Sequence, residues 1–163
     1  MARKVFFSFH YERDIWRASQ IRNSWVTKPN REYAGFWDAA SWEAVKRKGD
    51  EAVKKWIRRN LEGTSVTVVL IGYETATRKY VGYEIEQSYD RGNGLLGIYI
   101  YNIRDEDRLT DFKGENPFDK WYVESNGRYT YFSQIYKTFD WVAGNGYNNL
   151  GTWIEMAAKQ AGK

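Results

Sequence analysis

In TRKYVGYEIEQSYDRG, residues 77–92, the carboxylate of Glu84 follows Tyr80 by four positions and Tyr83 by one. Positions four apart on a helix share a face, so the Tyr80 ring and the Glu84 carboxylate can meet one ligand while Val81 and Ile85 form the stripe turned to a core. The same spacing also describes a solvated helix surface on which Glu84 pairs with Lys79 or Arg91. The elements around this helix decide between the two.

Other chemistry is mostly excluded. The single histidine, His10, leaves no cluster for zinc and no Ser-His-Asp arrangement with a histidine to spare, and the absence of cysteine removes thiol nucleophiles and thiolate metal sites. GxxxxGK[ST] does not occur, which argues against P-loop chemistry. The acidic run RDEDRLTD, residues 104–111, lacks calcium-loop spacing and is interleaved with Arg, so it reads as a solvated loop and no metal is expected. The basic run KRKGDEAVKKWIRRN reads as the wet face of an amphipathic helix before it reads as a phosphate site. His10 is either a surface residue or a ligand contact at the end of a strand.

The 163 residues are enough for one domain, taken here as 1–163, with 42% hydrophobic and 28% charged residues in a globular balance. Aromatics reach 18%, with eight Trp, thirteen Tyr and eight Phe, and the polar tips of Tyr and Trp point to a groove or a self-association surface. A net charge of +4 is too mild and too dispersed for a nucleic-acid binder, yet it suits a small polyphosphate ligand. The apolar run after MARK is too short for a signal peptide, and no stretch approaches the ~18 apolar residues of a membrane span. Together with the missing cysteines this places the protein in the cytoplasm.

The elements that must carry these residues follow from patterning. KVFFSF, residues 4–9, reads as a first strand, with Asp14 as the cap of a helix through IWRASQIRNSW. GFWDAA, residues 35–40, reads as a brief second strand. Ser41 begins the longest helix, ending at Gly63 and weakened at Gly49, where a bend or break is expected. SVTVVLIG and GLLGIYIYN are almost unbroken in β-branched and apolar residues, the mark of strands covered on both faces, and the helix between them implies a right-handed parallel crossover. YVESNGRYTY is a hairpin around Asn126-Gly127, and SQIYKTFDWVAG and NLGTWIEMAAKQ read as two closing helices. The fold class is α/β, a flavodoxin-like three-layer sandwich with a central, mainly parallel sheet. In such sheets ligands bind beyond the carboxyl ends of the strands where strand order reverses, which brings SFHYE beside IGYETATRKY.

Taken together, VFFSFHY, RNSWVTK, GFWDAASWE, SVTVVLIG, YVGYEIEQS, NPFD and YKTFDWVAGNGYNNLGTWI resemble a Toll/interleukin-1 receptor (TIR) domain, more closely the TIR-like ThsB proteins of the bacterial Thoeris antiphage system. The resemblance implies Glu84 as catalytic acid residue with Tyr80 as the aromatic four positions before it. It further implies substrate contacts from Ser8, Phe9, His10, Tyr11, Phe36, Trp37, Asp38 and Tyr83. The common TIR form has Trp-Cys where this chain has Tyr80-Val81, a departure that bears on affinity. The implied reaction is NAD⁺ cleavage at the nicotinamide-ribose bond, with capture of the sugar by an atom of the same molecule to give a cyclic ADP-ribose isomer. No cofactor beyond the NAD⁺ substrate is expected, and the product would act as a second messenger for a ThsA effector. The competing readings are a TIR-like interaction module without catalysis and a nucleoside deoxyribosyltransferase-like enzyme.

Overall fold

The fold is seen in a computed structural model that describes residues 3–163. Strand β1 (Arg3–Ser8) is followed by helix α1 (Tyr11–Val26), β2 (Arg31–Ala34), α2 (Ala39–Arg47), α3 (Asp50–Leu61), β3 (Val66–Ile71), α4 (Lys79–Asp90) and β4 (Gly94–Tyr99). Then come β5 (Tyr122–Ser125), β6 (Arg128–Tyr131), the single turn α5 (Phe132–Ile135), β7 (Thr138–Asp140) and α6 (Gly146–Gln160). Five strands form one parallel sheet in the order β2-β1-β3-β4-β7, and β5-β6 is a separate antiparallel hairpin.

Alternation along the strands divides the core. Val5 and Phe7 of β1 with Val66, Val68 and Leu70 of β3 face α1 and α6, where Ile21, Trp25, Leu150 and Ile154 pack against them. The opposite face carries Phe6 under Val53 and Ile57 of α3, and Val69 and Ile71 under Val81 and Ile85 of α4. Every residue of β3 is buried, in keeping with its nearly unbroken apolar run. Ser8 and Thr67 fall on the second face, so two hydroxyls point from the sheet toward α4.

Four expectations need correction. Asp14 does not cap α1, which starts at Tyr11 with His10 as its N-cap; Asp14 lies in the first turn, fully buried against Gly72, where no Cβ would fit. The second strand is Arg31–Ala34, not GFWDAA, because Gly35 turns to φ +78° and ends the extended run. The long helix breaks in two at Gly49, at φ +101°, as expected, but Asp38, not Ser41, caps α2 by accepting the Ser41 backbone N–H at 2.8 Å. The first closing helix is only α5, after which β7 adds a fifth strand to β4, held by Phe139 stacked on Trp153 at 4.3 Å. Tertiary pairing overrode the local pattern there. The hairpin turn stands as read, with Asn126 and Gly127 both at positive φ.

Candidate active site

Strand order reverses between β1 and β3, and the loops leaving their carboxyl ends meet α2 and α3 around a cavity of about 290 Å³. Phe9, His10 and Tyr11 come from the loop after β1 and the start of α1. Arg78, Lys79, Tyr80, Val81 and Glu84 come from the first turns of α4. The remaining wall is Trp37, Trp42, Lys46, Val53 and Ile57, with Glu12 at its edge.

Glu84 is 4% exposed, so the reading as a solvated surface charge does not hold. Oε1 accepts the Ser8 hydroxyl at 2.7 Å, and no other protein group donates to the carboxylate among the described residues. Burial pushes its pKa from 4.5 up to about 8, with the Ser8 hydrogen bond pulling the other way. A carboxylate held this way is costly to ionise in an empty cavity and strongly attracts any cation that enters.

The helix that carries Glu84 is pinned from below. Ser88 donates its hydroxyl to the Glu84 carbonyl at 2.6 Å and meets the Thr67 hydroxyl of β3 at 2.6 Å. Asn93 donates to Thr64 and Thr67, which closes a buried polar chain between α4 and the sheet. Rotation of α4 about its axis would have to break this chain.

The walls are aromatic and their order is mutual. Trp37 stacks on Trp56 at 3.4 Å and meets Trp42 edge-on at 4.9 Å, while Tyr11 and Tyr80 flank Trp42 at 5.5 and 6.5 Å. Tyr80 donates its phenol to Asp50 at 2.9 Å, and Lys79 and Lys54 reach the same carboxylate at 2.6 and 3.3 Å. Those hydrogen bonds, Lys79 first, hold Asp50 down at about 2, so it stays charged and ties α4 to the start of α3. Burial, with help from Arg78, lowers the pKa of His10 and favours a neutral imidazole on the wall.

Of the residues expected at the site, Phe9, His10, Tyr11, Trp37, Tyr80 and Glu84 line the cavity, and Ser8 sits behind Glu84 as its hydrogen-bond donor. Three stand outside the wall. Phe36 turns to the opposite layer against Phe7 and Phe9 with Arg22 over its ring, Asp38 is spent on capping α2, and Tyr83 accepts a hydrogen bond from Arg58 at 2.6 Å. The sequence reading missed Trp42, Lys46, Arg78 and Lys79. Trp42 and Lys46 lie four apart on α2, the same-face spacing that singled out Tyr80 and Glu84, and so were within reach of the pattern.

A parallel five-stranded sheet covered on both faces, with a buried helical carboxylate facing a cavity at the switch point, defines a TIR-like α/β domain. The sequence profile described as Thoeris protein ThsB, TIR-like domain, matches residues 6–105. A protein of Bacillus cereus (strain MSX-D12) named "Putative cyclic ADP-D-ribose synthase ThsB1" is 37% identical over 191 aligned positions, covering 94% of this chain and 100% of that protein. The chain belongs to the ThsB TIR-like family of Thoeris proteins. Among the described residues no helix is long and apolar enough to cross a membrane.

Proposed function

We propose that this chain cleaves NAD⁺ at the nicotinamide-ribose bond and closes the remaining ADP-ribose into a cyclic isomer, with Glu84 as the catalytic residue. The observation that carries the reading is the burial of Glu84 at the cavity, where one carboxylate oxygen is held by Ser8 and the other has no protein partner among the described residues. The similarity to a relative named as a cyclic ADP-D-ribose synthase supports the same reaction.

The cavity volume, about 290 Å³, is at the small end of the roughly 300–1,000 Å³ of ligand pockets. It suits the nicotinamide-ribose half, leaving the phosphates at the mouth near Lys46, Arg78 and Lys79. Nicotinamide leaves with the electron pair of the broken C–N bond and becomes neutral, while C1′ of the ribose becomes electron-poor. Glu84, drawn to its ionised form by the incoming pyridinium, holds the ribose hydroxyls and stabilises that charge. Tyr11, Trp37, Trp42 and Tyr80 keep water off C1′, so that a nucleophilic atom of the same molecule captures it. His10, neutral on the wall, can take up a proton.

On this reading residues 1–163 act as one TIR-like domain in the cytoplasm, use no metal or further cofactor, and signal through their product to a ThsA effector. Copies associate through exposed aromatic side chains such as Tyr122, Tyr129 and Tyr131 on the hairpin. The test incubates purified protein with NAD⁺, alone and in infected-cell extract, and follows nicotinamide and cyclic product for parent and Glu84→Gln. Equal turnover by both removes Glu84 from the chemistry; a silent parent under both conditions favours a non-catalytic interaction module.

A further inference from the structure

At the end of the sheet opposite Glu84, where β1 and β2 begin, a second cavity of about 800 Å³ lies between the α1–β2 connection and one face of α6. Its volume is within the roughly 300–1,000 Å³ of ligand pockets, and its wall follows α6 from Asn148 to Lys159, ~16 Å at 1.5 Å per residue. Lys28, Arg31, Lys159 and Lys163 bring positive charge to it, and none of the four is in an ion pair among the described residues. Glu155 is the one side-chain carboxylate on the wall, and Arg3 already holds it at 2.9 and 3.0 Å.

Arg31 is the fixed member of the group. Its guanidinium lies over the Trp25 ring at 4.3 Å, donates Nη1 to the Trp25 carbonyl at 3.4 Å, and fills the space left by the missing side chain of Gly151, where a Cβ would run into Nη2. The edge made by Nε and Nη2 is the fork that grips two oxygens at once. Arg3 and Arg13 use that edge on Glu155 and Asp111, with every bond at 2.9 or 3.0 Å. On Arg31 it has no partner among the described residues, yet it is not sealed, since the buried side-chain nitrogens and oxygens that lack a partner belong to Asp14 and Trp42. The edge therefore stands open to solvent, and this cavity is the one that Arg31 borders. Burial lowers the pKa of Arg31, so the cation gives up hydration with no carboxylate bound in exchange.

We propose that this cavity binds a phosphate group, free or at the end of a small molecule of nucleotide size, with Arg31 as its bidentate anchor. The fork matches two oxygens in one plane, which phosphate and carboxylate both offer. Lys28, Lys159 and Lys163 favour the phosphate, which carries about two negative charges where a carboxylate carries one. The site is independent of the NAD⁺ reading, because its ligand sits at the far end of the strands from Glu84.

Binding is measured by calorimetry and by NMR of the arginine Nε–H groups, with inorganic phosphate, AMP, adenosine and acetate as probes. Inorganic phosphate and AMP move the Arg31 signal and leave that of Arg13, paired near the other end of the sheet, in place; adenosine leaves both in place, and acetate binds at least about tenfold more weakly. AMP binding more tightly than phosphate assigns the site to a phosphorylated small molecule, and otherwise it is a site for the free ion. Arg31→Lys keeps the charge and loses the fork, Gly151→Ala displaces the fork from its seat, and each weakens both phosphate probes about tenfold while NAD⁺ turnover stays unchanged. An Arg31 signal unmoved by either phosphate probe overturns the proposal, a result read on the parent protein whether or not the variants fold. Equal phosphate binding by the parent and a folded Arg31→Lys overturns it as well, as does acetate that binds as tightly as phosphate.

Discussion

Ser8 at the end of β1 and Glu84 in the second turn of α4 meet at 2.7 Å although 76 residues separate them in the chain. Among the described residues the contact is the only hydrogen bond that opposes the effect of burial on the carboxylate. Activity that needs the ionised acid therefore rises with pH, with a limb in kcat/KM near pH 8 and a limb in kcat at lower pH, where bound pyridinium favours the anion. In Ser8→Ala the limb moves to higher pH, and the rate at pH 7 falls about tenfold and recovers in part by pH 9. A profile unmoved by the substitution would show that Ser8 does not tune the acid.

Glu84→Gln lowers kcat by at least ~100-fold, measured as nicotinamide release. It also changes stability in a pH-dependent way. The folded pKa of about 8 lies above the unfolded 4.5, so the folded protein keeps a proton that the unfolded chain has lost across that window. The resulting stability is complete below pH 4.5 and disappears as pH climbs through 8. Gln loses nothing over that range. The melting temperature of the variant relative to the parent therefore increases from pH 5 to 8 and levels above it.

Asp14 offers the same experiment away from the cavity. Among the described residues both oxygens lack hydrogen-bond partners, Arg17 stands 3.9 Å off, and burial raises the pKa from 3.8 to about 6. The proton held by the fold between those values stabilises it, and that contribution is lost as pH rises through 6. Asp14→Asn should match the parent near pH 3 and exceed it by about 1–3 kcal/mol at pH 7–8, read from denaturant midpoints. Loss of stability at pH 8 would mean that the charged form is the one the fold uses.

Gly35 occupies φ +78°, and a Cβ there would stand 2.8 Å from the Phe6 ring and the Phe7 carbonyl. Gly35→Ala should cost about 2 kcal/mol or more in chemical denaturation and disturb Trp37 two residues on. Gly63→Ala, at φ +77° but with open space around the Cβ, is the control and should cost less.

The sheet was legible where burial is two-sided, because β3 and β4 are short, nearly unbroken apolar runs bounded by turn residues. It was illegible at its margins. β2 and β7 are only four and three residues long, and polar enough that Arg31–Ala34 and Thr138–Asp140 become strands by pairing with β1 and β4 rather than by local preference. The cavity was legible where helical spacing or a strand end points into it, as for Tyr80, Glu84, Phe9 and His10. Phe36 and Trp37 show the limit: neighbours in an irregular segment face opposite layers, and only the turn at Gly35 determines which faces the cavity.

Floor and roof of the cavity have different origins. Ser8 and Glu84 are fastened to the sheet through β1 and the Ser88–Thr67 bond, whereas Trp37, Trp42 and Lys46 hang from the short span that runs between the two left-handed glycines, Gly35 and Gly49. The roof can consequently be recut without unsettling the acid beneath it. Divergence among kindred enzymes would then change the shape into which the severed sugar folds while sparing the bond-breaking step.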